Sequence, residues 1–439
     1  MEFGKHIGKG VWAFADKALP AVYGIGFVLL VVRGLPEKEF GAFVVIQTMF
    51  TIVTAFATSF ALQPLTKFAA ETDRPGNYIV TSLLMQFFFF LLASIAALAF
   101  KDTLAILLDR QHQTNLVPLI SYLPLLLVTA YYRNFAASLL QARYRVERIF
   151  WIDAVYFLGV LGAVFMTREA GVFHSASDML SINVLMLACS SLLAIVLTWR
   201  EMSSPLLLDS QAIKAMWNFG KYTFGGSVTY ILFSQMDIFF VTSIAGIVAV
   251  ATYNAAKVLT RLFDMVAQVL QMFLIPFSSK AHAKRETDKL TSVAEKSICF
   301  AMLVLIPVFI AMFFFPELIL HLLYKGKYDS GASIVRVFGF LAFIVPWSTV
   351  AGGYMVGIGK VKEGLYSGVA LLGIALPAYM LLTPVAGALG TSIGYVASYL
   401  FMTLVLVNLL KPQVHLKIFG VLNRVEDAWV YVKTKIHFR

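Results

Sequence analysis

Six polar side chains recur at helical spacing in the second half of the chain. Successive members are three or four residues apart, and they are Asn254, Lys257, Arg261, Asp264, Gln268 and Gln271. This spacing predicts that all six, the polar stripe, lie along one face of an α-helix that is otherwise apolar. Arginine binds phosphate oxygens through two parallel hydrogen bonds and keeps its charge when desolvated. The polar stripe therefore suits the binding of an anionic head group, most simply a pyrophosphate.

Other charged residues also interrupt apolar stretches. An ionised group at the centre of a lipid-facing helix costs roughly 2.5–3.5 kcal/mol, so these groups are expected to face a protein interior or a wet cavity. Three basic residues join Asn254, Lys257 and Arg261 in the predicted substrate-binding set: Lys17, Arg133 and Arg336. The candidates for carrying a coupling ion are Asp16, Asp237 and Asp264. An alternative interpretation is that the carboxylates only neutralise basic neighbours, and that Arg336 and Asp153 lie near helix ends.

The composition indicates an integral membrane protein. Hydrophobic residues make up 59% of the 439 residues and charged residues only 13%, whereas soluble domains have roughly 25% charged residues. About 20 apolar residues cross a bilayer as a helix, which predicts an all-α protein with twelve transmembrane helices. The predicted spans lie near 10–32, 42–65, 78–100, 116–140, 149–166, 179–199, 222–243, 253–276, 297–315, 333–356, 365–382 and 387–410. The seventh carries a shorter polar row: Ser227, Tyr230, Ser234 and Asp237.

Landmarks of the first six spans return in the last six. Gly8-Lys9 precedes the first span and Gly220-Lys221 the seventh, an offset of about 212 residues. Internal repeats of this size are typical of secondary transporters, and an even number of spans per half predicts a parallel repeat. The predicted organisation is an N-terminal six-helix lobe at 1–199, a cytoplasmic linker at 200–221, a C-terminal six-helix lobe at 222–410 and a cytoplasmic tail at 411–439.

Basic residues outside the spans are distributed unequally across the membrane. Twenty-three Lys and Arg residues fall on the side of the N-terminus and seven on the opposite side. The positive-inside rule then predicts that both termini are cytoplasmic. A retained first span is expected, because Asp16 and Lys17 interrupt its apolar run and no signal-peptide pattern is present. Apolar residues between Ile418 and Val432 recur on one helical face, which predicts an amphipathic tail helix on the cytoplasmic leaflet.

Several classes of function are disfavoured by the sequence. No nucleic-acid partner is expected, because the aromatic residues lie within apolar spans and are not interleaved with the basic residues that make the net charge +11. The two cysteines, Cys189 and Cys299, lie in separate spans, and no ligand spacing predicts a metal site. No phosphate-binding loop or nucleophile motif occurs. Transport without a cofactor, with H+ or Na+ coupling or on the substrate's own gradient, is therefore expected.

Short motifs along the second half of the chain are similar to those of a known family. They are Met236-Asp237-Ile238-Phe239-Phe240 with Thr252-Tyr253-Asn254-Ala255-Ala256, Phe315-Pro316-Glu317-Leu318 with Leu322-Leu323-Tyr324-Lys325-Gly326-Lys327-Tyr328, Tyr354-Met355-Val356-Gly357-Ile358-Gly359-Lys360, and Gly387-Ala388-Leu389-Gly390-Thr391-Ser392. In order and spacing they resemble the polysaccharide transporters of the multidrug/oligosaccharidyl-lipid/polysaccharide exporter superfamily. The resemblance covers essentially the whole chain and implies two six-helix lobes around a V-shaped central cavity.

The resemblance also implies an activity. It implies a flippase that moves polyprenyl-pyrophosphate-linked oligosaccharide to the outer leaflet of a prokaryotic plasma (inner) membrane by alternating access, for cell-surface polysaccharide assembly. Basic residues are common in the cavities of this branch, and Arg133, Lys257 and Arg261 would supply them. The expected organisation is a monomer among membrane lipids, with polysaccharide polymerase machinery as a partner.

Two other readings compete with the flippase. A multidrug or cation antiporter of the same fold should have an acidic cavity without basic excess, which the polar stripe argues against. A membrane enzyme such as a glycan ligase or polymerase needs a sizeable extracytoplasmic loop, and the longest one predicted here is 316–332. We therefore expect a transporter and no enzymatic activity.

Overall fold

Helices are the only regular secondary structure in the described part of the chain. The computed structural model describes residues 12, 15–16, 19–20, 22–71, 76–111, 113–202, 207–414, 416 and 418–424. They form two compact units, Met1–Ala251 and Thr252–Arg439. The predicted all-α class is confirmed.

The first unit contains eight helices and the start of a ninth among its described residues. They are α1 Val22–Val32, α2 Glu37–Glu71, α3 Gly76–Ala99, α4 Lys101–Leu108, α5 Leu116–Ala142, α6 Val146–Glu169, α7 Ala176–Met202 and α8 Ser210–Phe240, which a π turn continues over Val241–Ala245. Polar side chains cap several of these helices. The Asn115 side chain accepts a hydrogen bond from the backbone of Val117 at the start of α5, and Ser175 and Asp178 form a reciprocal capping box at α7.

Packing in the first unit separates a core from an apolar outer surface. Leu65 of α2, Ile79 of α3 and Phe135 of α5 are fully buried in one cluster. On the other side of α3, Phe88 and Leu92 are 62% and 68% exposed. Lipid tails are as apolar as these side chains, so close packing and not hydrophobic burial holds such helices together in a bilayer. The exposed apolar residues therefore mark a lipid-facing surface.

The second unit carries most of α9 and six further helices. They are α9 Ile247–Ala283, α10 Thr287–Phe314, α11 Pro316–Tyr324, α12 Ala332–Gly339, α13 Leu341–Gly357, α14 Val361–Leu410 and α15 Ile418–Asn423. Its core contains Leu274 of α9, Ile298 of α10, Tyr354 of α13 and Leu410 of α14. The Tyr354 hydroxyl donates to the Leu290 carbonyl at 3.0 Å and joins α13 to α10.

Helix α14 turns back on itself. Its helical geometry breaks at Ala386 and Gly387. Gly387 has a φ of 56°, a positive value that glycine adopts without strain. The hydroxyls of Thr383 and Thr391 lie 2.8 Å apart across the break, and a Cβ at Gly390 would meet the carbonyl oxygen of Leu382. Farther from the break, a Cβ at Gly394 would meet the side chains of Tyr379 and Ala378. The paired residues thus lie at increasing distance on either side of the turn, so the two arms are antiparallel. The break coincides with the predicted boundary between the last two spans.

The number of membrane crossings can be compared with the predicted twelve. Nine helices in the described residues are long and apolar enough to cross a membrane, or ten if α12 and α13, bent by 42°, form one broken span. The count takes α14 as a single helix, although its arms fold back. It omits the predicted first span, because that segment is only partly described. An all-α multi-pass membrane protein is therefore established, and the count of twelve stays a prediction.

The predicted linker and tail contain helices that pack against their units. In the linker, the Asp209 side chain caps α8 by accepting a hydrogen bond from the backbone amide of Gln211. Ala212 and Met216 in the first turns of α8 are buried, so the helix continues through the end of the predicted linker at Lys221. In the tail, Val421 of α15 is buried and the Arg424 guanidinium pairs with Glu295 of α10 at 3.2 Å. The start of the tail thus docks on protein, and residues 425–439 lie outside the described residues.

Three π turns occur in the described residues. The one at Thr58–Leu62 in α2 has no equivalent among the described residues of the second half, and the other two are separated by about the length of the predicted repeat. One lies at Val28–Val32 in α1 and the other at Val241–Ala245 after α8, 213 residues later. The compact units divide between Ala251 and Thr252, so α8 belongs to the first unit. The division into two six-helix lobes related by a repeat stays a prediction.

Candidate functional site

Helix α9 carries the polar stripe. A 3₁₀ turn at Val258–Thr260 interrupts its hydrogen-bond ladder between Lys257 and Arg261. Lys257 and Asn254, before the turn, are half-buried, whereas the four later stripe residues are exposed: Arg261, Asp264, Gln268 and Gln271. Only 11% of the most apolar stretch of α9 is buried, the smallest share among the membrane-length helices of the described chain. The stripe therefore lies on an open face, as its spacing allows, and not in a packed core.

Lys257 lies against an aromatic wall within the second unit. Its ammonium nitrogen is 5.3 Å from the ring centre of Tyr395 and 6.0 Å from that of Tyr253. The Tyr395 ring stacks on the ring of Tyr399, with the two ring centres 6.2 Å apart. Cation–π contacts of this kind stabilise a desolvated ammonium by about 0.5–2 kcal/mol. They hold the charge in place against the aromatic rings.

Arg261 and Asp264 extend the charged part of the stripe. The charges of Arg261 and Lys257 both act on the Asp264 carboxylate, so the three groups form one electrostatic cluster. Arg261 also acts on Tyr324 of α11, where burial raises the pKa of the hydroxyl and the positive charge opposes that rise. Tyr324 therefore stays protonated and donates to the Ala255 carbonyl at 2.9 Å. With two cations and one carboxylate, the cluster is positive overall.

Arg133 lies in the first unit and is engaged within the protein. Its Nη2 donates to Asp153 Oδ1 of α6 at 2.6 Å, and its guanidinium carbon lies 4.9 Å from the ring centre of Tyr156. The Tyr156 hydroxyl in turn donates to the side chain of Asn183 on α7 at 2.9 Å. The side chains of Arg133 and Asp153 are only 15% and 20% exposed. This network ties α5, α6 and α7 together, the arrangement that the sequence left open as an alternative to substrate binding.

The other described site residues predicted from the sequence lie outside the polar stripe, in three different environments. Arg336 donates to Glu317 of α11 at 2.5 Å, and the two side chains are 43% and 53% exposed. Asp16 is 8% exposed, and Lys17 lies outside the described residues. Asp237 is fully buried, and its carboxylate accepts from the Ile238 amide at 2.9 Å. Among the members of the predicted set that the structure describes, Lys257, Arg261, Asp264 and Asn254 are thus the ones brought together on one face.

A neutral cavity of about 660 Å³ lies within the first unit. It is lined by residues of α2, α5 and α8, among them Thr51, Thr54, Thr58, Gln63, Asn134, Ser138, Ser227 and Tyr230. None of the described residues that line it is charged. The polar row predicted on the seventh span thus divides: Ser227 and Tyr230 reach this cavity, whereas Asp237 is buried.

Sequence reasoning missed the α2 and α5 side of this neutral cavity. A signal was present, since Thr51, Thr54 and Thr58 recur at three- and four-residue spacing, and Asn134 and Ser138 are four apart. Hydroxyl residues are ambiguous in a span, because they commonly bond the carbonyl of their own helix. Only packing shows that these rows converge, and that Asn134 faces the cavity while the adjacent Arg133 faces α6.

The polar stripe and the neutral cavity are both suited to binding a ligand. No group of three or more His, Cys, Asp or Glu side chains that could hold a metal ion occurs in the described ranges. The polar stripe offers a positive cluster on an open helix face, and the neutral cavity offers hydroxyl and amide groups. The polar stripe therefore suits an anionic ligand, and the neutral cavity suits an uncharged polar group.

Comparisons with known proteins identify relatives and a shared fold. A family profile described as polysaccharide biosynthesis protein matches residues 30–333. The probable low-salt glycan biosynthesis flippase Agl15 of Haloferax volcanii is 20% identical over 324 residues, 72% of this chain and 65% of that protein. An uncharacterized membrane protein of Methanocaldococcus jannaschii is 25% identical over 201 residues, 45% of this chain and 39% of that protein. The matches thus cover less than two thirds of either relative.

Solved structures share the fold over nearly the whole chain. A multidrug resistance MATE family transporter of the MOP superfamily, in an inward-facing conformation, superposes with a TM-score of 0.72 at 16% identity, covering 90% of this chain and 96% of that one. The lipid II flippase MurJ, in an inward closed conformation, superposes with a TM-score of 0.74 at 12% identity, covering 95% and 89%. At these identities the likeness shows the fold alone.

Proposed function

The chain belongs to the polysaccharide biosynthesis protein family, and on that premise we propose that it flips polyprenyl-pyrophosphate-linked oligosaccharide from the cytoplasmic to the outer leaflet. The family match confirms the resemblance found in the sequence. The names of a probable glycan biosynthesis flippase and a lipid II flippase among the similar proteins support the same class of substrate. The activity is that of a membrane transporter and not of an enzyme.

The observation that carries this proposal is the positive cluster on the open face of α9. A pyrophosphate bears charged oxygens that a guanidinium binds through two hydrogen bonds and that an ammonium attracts as a point charge. Lys257 and Arg261 provide these two groups on successive turns, and the charges of both act on the carboxylate of Asp264. Asn254 adds an amide donor on the same face. Arg133 and Arg336 are secondary candidates, because neither lies on α9 and each forms an ion pair with a carboxylate of a neighbouring helix.

The proposed mechanism is alternating access without a cofactor. The 3₁₀ turn at Val258–Thr260 separates the helix segments that carry Lys257 and Arg261. Mid-helix 3₁₀ turns often mark hinges, so bending there would change the distance between the two cations. Release of the pyrophosphate on the far side of the membrane would follow from that separation. Coupling to H+ or Na+ through Asp237, Asp264 or Asp16 remains part of the proposal.

The proposed setting is the plasma membrane of a prokaryote, with both termini in the cytoplasm. We further propose that the protein acts as a monomer and delivers its substrate to polysaccharide polymerase machinery. The uneven distribution of basic residues supports the orientation.

The test is flipping of a fluorescent polyprenyl-pyrophosphate oligosaccharide in proteoliposomes. We expect Arg261→Ala to slow flipping by about tenfold to a hundredfold, because a hydrogen bond to a charged group contributes about 1.5–3 kcal/mol. Lys280→Ala is the matched control, since it removes an exposed positive charge from the same helix outside the polar stripe. Equal activity of wild type and Arg261→Ala, or equal loss in both variants, would contradict the assignment.

A multidrug or cation antiporter is the alternative function. The shared fold with a multidrug resistance transporter favours it, whereas the positive cluster opposes it because a cationic drug would be repelled. Efflux of a cationic dye by the same vesicles, without flipping of the lipid-linked glycan, would establish the alternative.

A further inference from the structure

The neutral cavity in the first unit is not part of the proposed pyrophosphate site, so its role is still to be assigned. We propose that it is a glycan subsite, which binds uncharged sugar residues of the transported lipid. The inference rests on the proposed function, because the sugar is presented as part of a polyprenyl-pyrophosphate lipid. Its volume of about 660 Å³ falls within the roughly 300–1,000 Å³ typical of small-molecule sites.

Hydroxyl groups on the cavity wall are oriented as hydrogen-bond acceptors. Thr51 and Thr54 of α2 each donate to the carbonyl four residues earlier, at 2.8 Å, and Ser138 of α5 does the same at 3.2 Å. Their protons are committed to the backbone, so their oxygen lone pairs face the cavity. Sugar hydroxyls can donate to these oxygens. The wall is therefore built to accept hydrogen bonds from a polyhydroxylated ligand.

Two amides supply the donors that such a ligand also needs. Asn134 and Gln63 line the cavity, and no described residue hydrogen-bonds either side-chain amide. Each offers two N–H donors and one carbonyl acceptor. Tyr230, on the α8 side, is 59% exposed, so its ring presents a flat apolar surface next to these polar groups. A sugar ring has the same combination of an apolar C–H face and polar edges.

The absence of charge from the described lining determines which sugars fit. The nearest lysine along α2, Lys67, lies one turn beyond Gln63, and its ammonium is held over the rings of Phe68 and Phe219 at 5.1 Å and 4.5 Å. A carboxylate brought into the cavity would lose hydration without gaining a counter-ion, which is unfavourable. Neutral sugars should therefore bind better than uronic acids.

The experiment compares three radiolabelled lipids in equilibrium binding to the full chain in nanodiscs. The first is polyprenyl pyrophosphate without sugar, the second carries a neutral disaccharide and the third carries the corresponding disaccharide with a terminal uronic acid. The test variants are Thr54→Val, Asn134→Leu and their combination. Thr48→Val is the matched control, because Thr48 lies on the same helix and donates to the carbonyl of Val44 at 2.8 Å but does not line the cavity.

We expect wild type to bind the neutral glycolipid about tenfold more tightly than the sugar-free lipid or the uronic acid lipid. Each single test variant should weaken binding of the neutral glycolipid roughly three- to tenfold, the range expected for one lost hydrogen bond. The combined variant should abolish the gain from the sugar. Binding of the sugar-free lipid should be unchanged in every variant, and Thr48→Val should match wild type.

Several results would overturn the glycan subsite. They are equal binding of all three lipids by wild type, tighter binding of the uronic acid lipid, or an equal loss of the sugar-free and neutral lipids in the test variants. If the sugar-free lipid binds with a dependence on Arg261 while the sugar adds nothing, the subsite fails and the proposed function stands. If wild type binds none of the three lipids, both the proposed function and the subsite fail.

Discussion

The ion pair between Arg133 and Asp153 allows a quantitative test of what Arg133 does. The two side chains join α5 to α6 at 2.6 Å and are 15% and 20% exposed. Removing one partner of a buried pair costs about 3–5 kcal/mol, because the remaining charge is left uncompensated. The residual exposure of both groups favours the lower end, so Arg133→Met and Asp153→Leu should each cost about 3 kcal/mol of unfolding free energy.

The double variant distinguishes the pair from two independent contributions. Replacing both groups removes both buried charges, so Arg133→Met with Asp153→Leu should cost no more than one single variant. That outcome corresponds to a coupling energy of about 3 kcal/mol, at the upper end for residues in contact. The exposed pair of Arg336 and Glu317, with 43% and 53% exposed side chains, is the control. There each single variant should cost no more than about 1 kcal/mol.

The assay is unfolding by steric trapping in lipid bicelles, with flipping measured on the same variants. If the double variant is stable and still flips the substrate, Arg133 is a structural link. If it is stable and inactive, the substrate-binding role predicted from the sequence holds. Arg133→Met without loss of stability, or a double variant as unstable as the two single losses combined, would refute the physical reasoning about the pair.

Two further predictions concern the hairpin of α14 and ion coupling. We expect Gly390→Ala to lower stability by about 1–3 kcal/mol in thermal unfolding, because its Cβ would meet the Leu382 backbone, which cannot rotate away. Gly373→Ala, where a Cβ meets nothing within 4 Å, should be neutral or slightly stabilising, and equal effects would contradict the packing argument. We expect Asp237→Asn, at a fully buried carboxylate, to abolish stimulation of flipping by an imposed H+ or Na+ gradient. Asp264→Asn, beside two cations, should instead alter substrate affinity, and unchanged gradient stimulation in Asp237→Asn would count against the coupling role.

Features that depend on local sequence were predicted well. The membrane class follows from apolar length, and the turn at Gly387 coincides with the predicted entry to the last span. The spacing of the polar stripe predicted one helix for Arg261 and Asp264, and both lie exposed on α9. Their role in binding stays a prediction. These predictions need only the helix period and the thickness of a bilayer, which are the same in any fold.

Predictions that depend on neighbouring helices were less complete. Charge alone could not distinguish Arg261 from Arg133, whose partner is 20 residues away on another helix. The predicted linker ends inside α8, because burial of Met216 against the first unit extends the helix beyond its apolar part. The amphipathic pattern of the tail predicted that its apolar face lies on lipid. In the structure, Val421 of that face is buried against protein.

The sequence by itself determined that this is a helical membrane protein, which segments are apolar, and that a charged row follows one helix face. Only the tertiary structure decided which charges neutralise one another and which remain accessible, as for Arg133 and Arg261. It also decided that Thr54, Asn134 and Ser227 of three helices meet in one neutral cavity. The physical reason is that a membrane helix can be apolar on nearly every face, so its periodicity does not determine which face meets a neighbour. That choice is made by close packing between helices, which a single segment does not encode.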